Sequence, residues 1–194
     1  MTRHRFLIPA TVLLVGLTLK AVGQQLPFDQ SAINRYSLDG VPRSMSIRQG
    51  ADIWLGYDLE RATILKVWRA PEGELGLKGA FTVKSAGTKL FEDKSETGWT
   101  WDGGPVKVRY LGVSDKGREV ELRWELSKGA RSLRLTERIP KSGGEAVSRD
   151  LKVDGLRSGE SLKLPAAAGA AWKTTKGGAA KELSGNQWIR ITLS

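Results

Sequence analysis

From Ser44 onward, apolar and polar residues alternate over short runs, each cut off by turn-forming residues. A period of two puts every second side chain on the same face of an extended strand. The clearest run is Glu119–Leu126, where Val120, Leu122, Trp124 and Leu126 share a face opposite Glu121, Arg123 and Glu125. Before it, Val106, Val108 and Tyr110 alternate with Lys107 and Arg109, and Asp115-Lys116-Gly117 supplies a hairpin turn between the two runs. After Lys128-Gly129, Leu133 and Leu135 alternate with Arg134. Short strands are predicted at Ser44–Ile47 and Ile53–Tyr57, around the Gln49-Gly50 turn. Asp58-Leu59-Glu60-Arg61 then turns the chain into Thr63–Arg69, with Ile64, Lys66 and Trp68 expected on one face and Leu65 and Val67 on the other. Later strands are expected at Ala146–Val153, Ser161–Leu164, Ala171–Thr175 and Gln187–Leu193. This pattern predicts an all-β fold, an antiparallel β-sandwich in a single domain.

Two segments break the rhythm. Gly73 to Gly98 is polar and turn-rich, with Phe81, Val83, Leu90 and Phe91 as weak strand marks. Pro165 to Gly185 is rich in Ala, Gly, Lys and Thr and reads as a hairpin or loop.

The amino terminus follows a different pattern. Arg3 and Arg5 precede the uncharged apolar run Phe6–Leu19, and Lys20 and the small-residue site Ala21-Val22-Gly23 follow it. That order of parts is the secretion-signal pattern. The run is 14 residues long and contains Pro9, whereas a span of the bilayer needs roughly 20 apolar residues. The expected organisation is a signal peptide at 1–23, an irregular lead-in at 24–43 with an Asp39-Gly40 turn signal, and a β-sandwich domain at 44–194. Periplasmic or secreted location follows from cleavage near Gly23, with no stable membrane span.

Composition then narrows the chemistry. The only histidine, His4, lies in the predicted signal, and the chain has no cysteine. The expected mature protein therefore lacks the means for Ser-His-Asp or Cys-His catalysis, His/Cys metal sites and covalent haem attachment, and no cofactor is expected. About 170 residues suffice to bury a core without disulfides. Without Arg3, Arg5 and Lys20, the 31 basic residues fall to 28 against 21 acids, a net +7. Such a surface favours anionic partners. The basic residues are scattered along alternating strands, however, with no block of Lys and Arg and no nucleic-acid motif, so a solvated face is the simpler reading and no nucleic acid is expected.

The candidate binding residues are aromatic. Gly98-Trp99-Thr100-Trp101-Asp102-Gly103-Gly104 puts two indoles on one side of an extended segment beside an acid. Such rings stack on sugars, and Asp102 can accept hydroxyl hydrogen bonds; the competing role is to close the core, as buried aromatics do. Trp54 and Trp68, on neighbouring predicted strands, are read as a cross-strand pair and complete the candidate set. Glycoside hydrolysis needs two carboxyls facing one cleft. Asp58 with Glu60 in a turn, and Glu92 with Asp93 pointing to opposite strand faces, do not establish such a pair. No catalytic residue and no metal ligand is assigned.

The stretch Arg43–Ala70, with Tyr57-Asp58 before a turn and Lys66-Val67-Trp68 on the next strand, resembles a β-rich domain attached to periplasmic c-type cytochromes of environmental bacteria. Arg109-Tyr110-Leu111-Gly112, then Glu119–Leu126 and Leu133–Ile139, resemble that domain's later strands. The chain departs from the pattern at Ala62, where a cysteine is expected in relatives, and at Ala70-Pro71-Glu72-Gly73 in place of a glycine-rich continuation. It also lacks C-x-x-C-H. The resemblance implies a non-enzymatic accessory domain working beside a separate cytochrome or oxidoreductase. The alternatives are a carbohydrate-binding module using the tryptophans and, third, a carboxylate-based glycoside hydrolase.

Overall fold

The computed structural model describes residues 33–193, apart from 80–81, 96, 142–146, 166–170, 177–178 and 180–181. The expected signal peptide lies outside the described residues. In chain order the strands are β1 (Ile33–Leu38), β2 (Val41–Gln49), β3 (Ile53–Asp58), β4 (Thr63–Arg69), β5 (Leu77–Lys78), β6 (Thr82–Ser85), β7 (Thr88–Glu92), β8 (Thr100–Trp101) and β9 (Gly104–Pro105). They continue as β10 (Lys107–Asp115), β11 (Glu119–Lys128), β12 (Arg131–Pro140), β13 (Ser148–Asp154), β14 (Leu162–Lys163), β15 (Trp172–Thr174), β16 (Glu182–Leu183) and β17 (Ile189–Leu193). Among the described residues no helix is long and apolar enough to cross a membrane.

The fold is all-β and sandwich-like. One sheet runs β5-β6-β1-β2-β3-β4-β7, the second β10-β11-β12-β13-β17-β15, and a small third sheet β16-β14-β8-β9 adds to them. The main core takes Met45, Ile47, Leu55, Tyr57, Ile64 and Val67 from the first sheet. From the second come the alternating positions Val120, Leu122, Trp124 and Leu126, with Leu133, Leu135, Leu151 and Val153. The inward face predicted for Glu119–Leu126 is therefore correct: all four of its apolar residues are fully buried. The third sheet contributes Trp101, Leu162 and Leu183 to the same core.

Three features differ from the sequence expectation. The 24–43 lead-in is not irregular over its described part, because β1 and β2 form a hairpin there. Asp39 (φ 50°) and Gly40 (φ 88°) both take the left-handed conformation that a tight hairpin turn demands. Pro42 has no N–H to give to the ladder, and next to it the Ser44 hydroxyl supplies local bonds to the Tyr36 and Val41 carbonyls. The Leu38 N–H in turn donates to Ser44 Oγ at 2.6 Å.

The second difference is on β4. Tyr57 pairs with Ile64 but Gly56 pairs with Lys66, so Leu65 is a bulged extra residue. The bulge brings Ile64 and Val67 into the main core, while Trp68 faces the opposite side of the sheet with Leu65. Ile64 and Trp68 do not share a face as strict alternation predicts.

The third is that the first sheet is buried on both sides. A second apolar cluster of Leu38, Trp54, Trp68, Ala70, Leu77 and Val83 lies on its other face. Every residue of β3 is buried as a result. The turn-rich segment after Gly73 supplies this cover through β5 and β6, and β6 joins β1 in a parallel pairing that the antiparallel expectation did not include.

Candidate functional site

The four candidate tryptophans are buried. Trp99 and Trp101 are 2% and 3% exposed and belong to the main core. Trp99 Nε1 donates to the Ala62 carbonyl at 2.9 Å. The Arg131 guanidinium lies 4.7 Å from the centre of the Trp101 ring, over the face a sugar would need. Arg131 is held there by Glu160 through contacts of 2.5 and 3.2 Å. The Arg131 guanidinium and then the Arg157 N–H lower the Glu160 carboxyl to about 2, so the clasp stays charged in all but strong acid. Asp102 Oδ1 accepts the Ser161 N–H, and so is taken up locally. Trp54 and Trp68 are paired directly across β3 and β4 and stacked 6.2 Å apart with a 13° tilt, as read from the sequence. Both are buried under the outer cluster.

The carboxylates flagged in the sequence are also engaged. Asp58 bonds the turn N–H groups of Glu60 and Arg61, and Arg61 bridges it to the buried Asp93. Glu92 lies outside and pairs with Lys89, so Glu92 and Asp93 do point apart. One groove, about 820 Å³, is lined by Arg48, Asp52, Arg69, Glu72 and Glu74 among others. It carries both signs of charge, and Arg69 pairs with Asp52 at 3.1 Å. Among the described residues no three of the His, Cys, Asp and Glu side chains gather closely enough to hold a metal ion.

The basic side chains are not uniformly scattered once the sheets form. On the outer face of the second sheet, Glu121, Arg138, Asp150 and Arg190 line up across four strands with alternating sign. Arg138 meets Glu121 at 3.2 Å, and Arg190 grips Asp150 with two bonds of 2.7 and 2.8 Å. Such cross-strand pairs fix register and cancel the local field.

A second groove, about 300 Å³, has a different balance. It lies between β1, the start of β2, the β3–β4 turn and the end strand β10, and is lined by Arg35, Arg43, Leu59, Glu60, Lys107, Val108, Arg109 and Tyr110. Arg35 lies 5.3 Å from the centre of the Tyr110 ring. Neither Arg35 nor Lys107 has an ion-pair partner among the described residues. The pairs Arg43–Glu60 (3.1 Å) and Arg109–Glu125 (3.0 Å) are solvent-exposed; such pairs are worth at most about 1 kcal/mol and exchange readily. The Tyr110 hydroxyl is shielded from water and has no hydrogen-bond partner among the described residues. Burial pushes this phenol up, while the Arg35 and Arg123 charges act in the opposite direction. Arg43 itself is a non-glycine residue at φ 52°, an unusual backbone state beside the groove.

Sequence reasoning did not single out these residues. The four cations come from three strands and meet only when the hairpin at 33–49 lies against β10. Compared with known proteins, the chain matches no family, no curated protein and no solved structure.

Proposed function

We propose that this protein is a non-catalytic binding domain that engages an anionic partner at the groove between β1 and β10. The observation that supports this reading is the convergence of Arg35, Arg43, Lys107 and Arg109 on one groove with a single lining carboxylate, Glu60. On the outer face of the second sheet, by contrast, Glu121, Arg138, Asp150 and Arg190 alternate in sign in register. A groove of one sign concentrates the field and speeds encounter with an oppositely charged partner. The resemblance of Arg43–Ala70 and Arg109–Gly112 to a cytochrome-attached domain makes an exported cytochrome or oxidoreductase the partner class we favour. In that setting the domain works by contact and carries no cofactor.

The test compares two double charge reversals of equal net charge, with polyglutamate as the probe at low and high salt. Arg35→Glu with Lys107→Glu is expected to weaken binding about tenfold or more, equivalent to about 1.4 kcal/mol. Lys84→Glu with Lys163→Glu, at exposed sites on other strands, is expected to leave most of it. Equal losses in the two variants would mean that only the diffuse net charge binds and would overturn the groove.

A further inference from the structure

We infer that the groove receives its partner as an added strand: an extended, acidic peptide segment that pairs with the free edge of β10. The inference rests on the groove reading above and specifies its ligand.

The first observation is topological. β10 is the end strand of its sheet, and among the described residues it pairs with β11 alone. An end strand presents a row of unpaired backbone N–H and C=O groups, which is a template for another strand. The second is that this edge and the basic groove coincide. Four consecutive residues of β10, Lys107 to Tyr110, form one wall of the groove, and Arg35 and Arg43 stand on the other side. The third is spacing. Lys107 and Arg109 are exposed and Val108 and Tyr110 half-buried, so the strand offers alternating cationic and apolar positions. A paired segment with acids at every second position would set carboxylates against Lys107 and Arg109. The next residues of that segment would meet the apolar lining of Leu59, Val108 and Tyr110.

The run has a defined end. Tyr110 pairs with Trp124 and Gly112 with Arg123, which leaves Leu111 as a bulge that breaks the ladder. Four residues at about 3.4 Å each give roughly 14 Å of usable edge. Exposed edge strands commonly carry lysines and bulges as protection against aggregation. Here the same charges select as well as protect. A second copy of this chain would bring Lys107 and Arg109 against cations of its own kind, and like charges directly opposite destabilise a strand pair. An acidic strand meets no such penalty.

The experiment uses the whole protein and three probes: an eight-residue capped peptide alternating Glu and Val, the same peptide N-methylated at every residue, and polyglutamate. Binding is followed by titration, and amide exchange at Lys107–Tyr110 by NMR. The inference expects the first peptide to bind, its N-methylated form to bind at least tenfold more weakly, and alternate amides of Lys107–Tyr110 to gain protection. If both peptides bind alike, or polyglutamate binds and β10 amides gain no protection, strand addition is overturned while the basic groove stands. If none of the three binds, the groove reading falls and strand addition falls with it.

Discussion

Glycines show most directly how single residues position this fold. A Cβ at Gly76 would sit 2.3 Å from the Trp54 Nε1 atom and 2.4 Å from its Cδ1, deep in the outer cluster. The same residue's carbonyl accepts Trp68 Nε1 at 2.6 Å. Its missing side chain thus lets the segment before β5 lie flat on the stacked indoles. Gly98, by contrast, has no atom within 4 Å of a Cβ position. Gly76→Ala is expected to cost about 1–3 kcal/mol through overpacking, whereas Gly98→Ala should stay within about 0.5 kcal/mol. Urea midpoints for the two variants test the contrast; a Gly76→Ala protein as stable as the wild type would show that the cover over Trp54 is loose. The same scale bears on the Trp99–Trp101 motif. Both rings enter the main core, and sequence does not show that burial or that Arg131, thirty residues later, lies across the second ring.

Elements were legible where a strand buries one face and is joined to its partner by a short turn. β11 meets both conditions and is legible along most of its length, while its partners β10 and β12 are legible in part. β1 and β2 were not: Pro42 and the uneven pattern before it hide a hairpin whose hydrogen bonds are repaired by the Ser44 side chain. Asp39 at the hairpin tip anchors it to the rest of the sheet. Its carboxylate accepts Ser85 N–H at 2.9 Å and Ser85 Oγ at 2.7 Å, and Lys66 Nζ lies 3.1 Å away. Partial burial works against the charge, but the Ser85 hydrogen bonds and then Lys66 outweigh it and hold the carboxyl below its usual value. The sign follows from linkage. A folded-state value below the unfolded one, near 3.9, means that this stabilisation is complete above about pH 4 and is lost as acid protonates the folded form. Protection factors of the β1 and β6 amides, taken relative to intrinsic exchange at each pH, should therefore fall below about pH 4 in the wild type. In Asp39→Asn they should be lower at neutral pH and change less on acidification. Identical pH profiles in the two proteins would rule out Asp39 as the anchor.

At the scale of the whole molecule, one polar assembly ties the two large sheets together across the main core. Tyr57 on β3 donates to Glu137 Oε1 on β12 at 2.5 Å, and Arg149 Nη1 on β13 meets the same oxygen at 3.1 Å. Glu137 and Arg149 are 0% and 1% exposed. The guanidinium also lies 4.5 Å from the centre of the Trp172 ring on β15. Burial and then the Glu137 charge drive the Tyr57 phenol far up, so it remains a donor throughout the accessible pH range. The sequence does carry a sign of this assembly: an acid and an arginine occupy core-facing positions, flanked by Leu135 and Ile139 on β12 and by Val147 and Leu151 around β13. What it cannot reveal is that residues 57, 137 and 149 converge, because that depends on how the two sheets are stacked. The energetics separate two roles. If the assembly fixes sheet alignment without adding net stability, removing one charge should cost far more than removing all three polar groups. Arg149→Met leaves the Glu137 carboxylate buried and uncompensated, and about 3–5 kcal/mol of destabilisation is expected. Combining it with Glu137→Leu and Tyr57→Phe removes every stranded partner and is expected to recover most of that loss. Urea unfolding of the single and triple variants decides the matter. A triple variant no more stable than Arg149→Met would mean that the buried pair contributes net stability, and that this core depends on its charges as well as on its apolar packing.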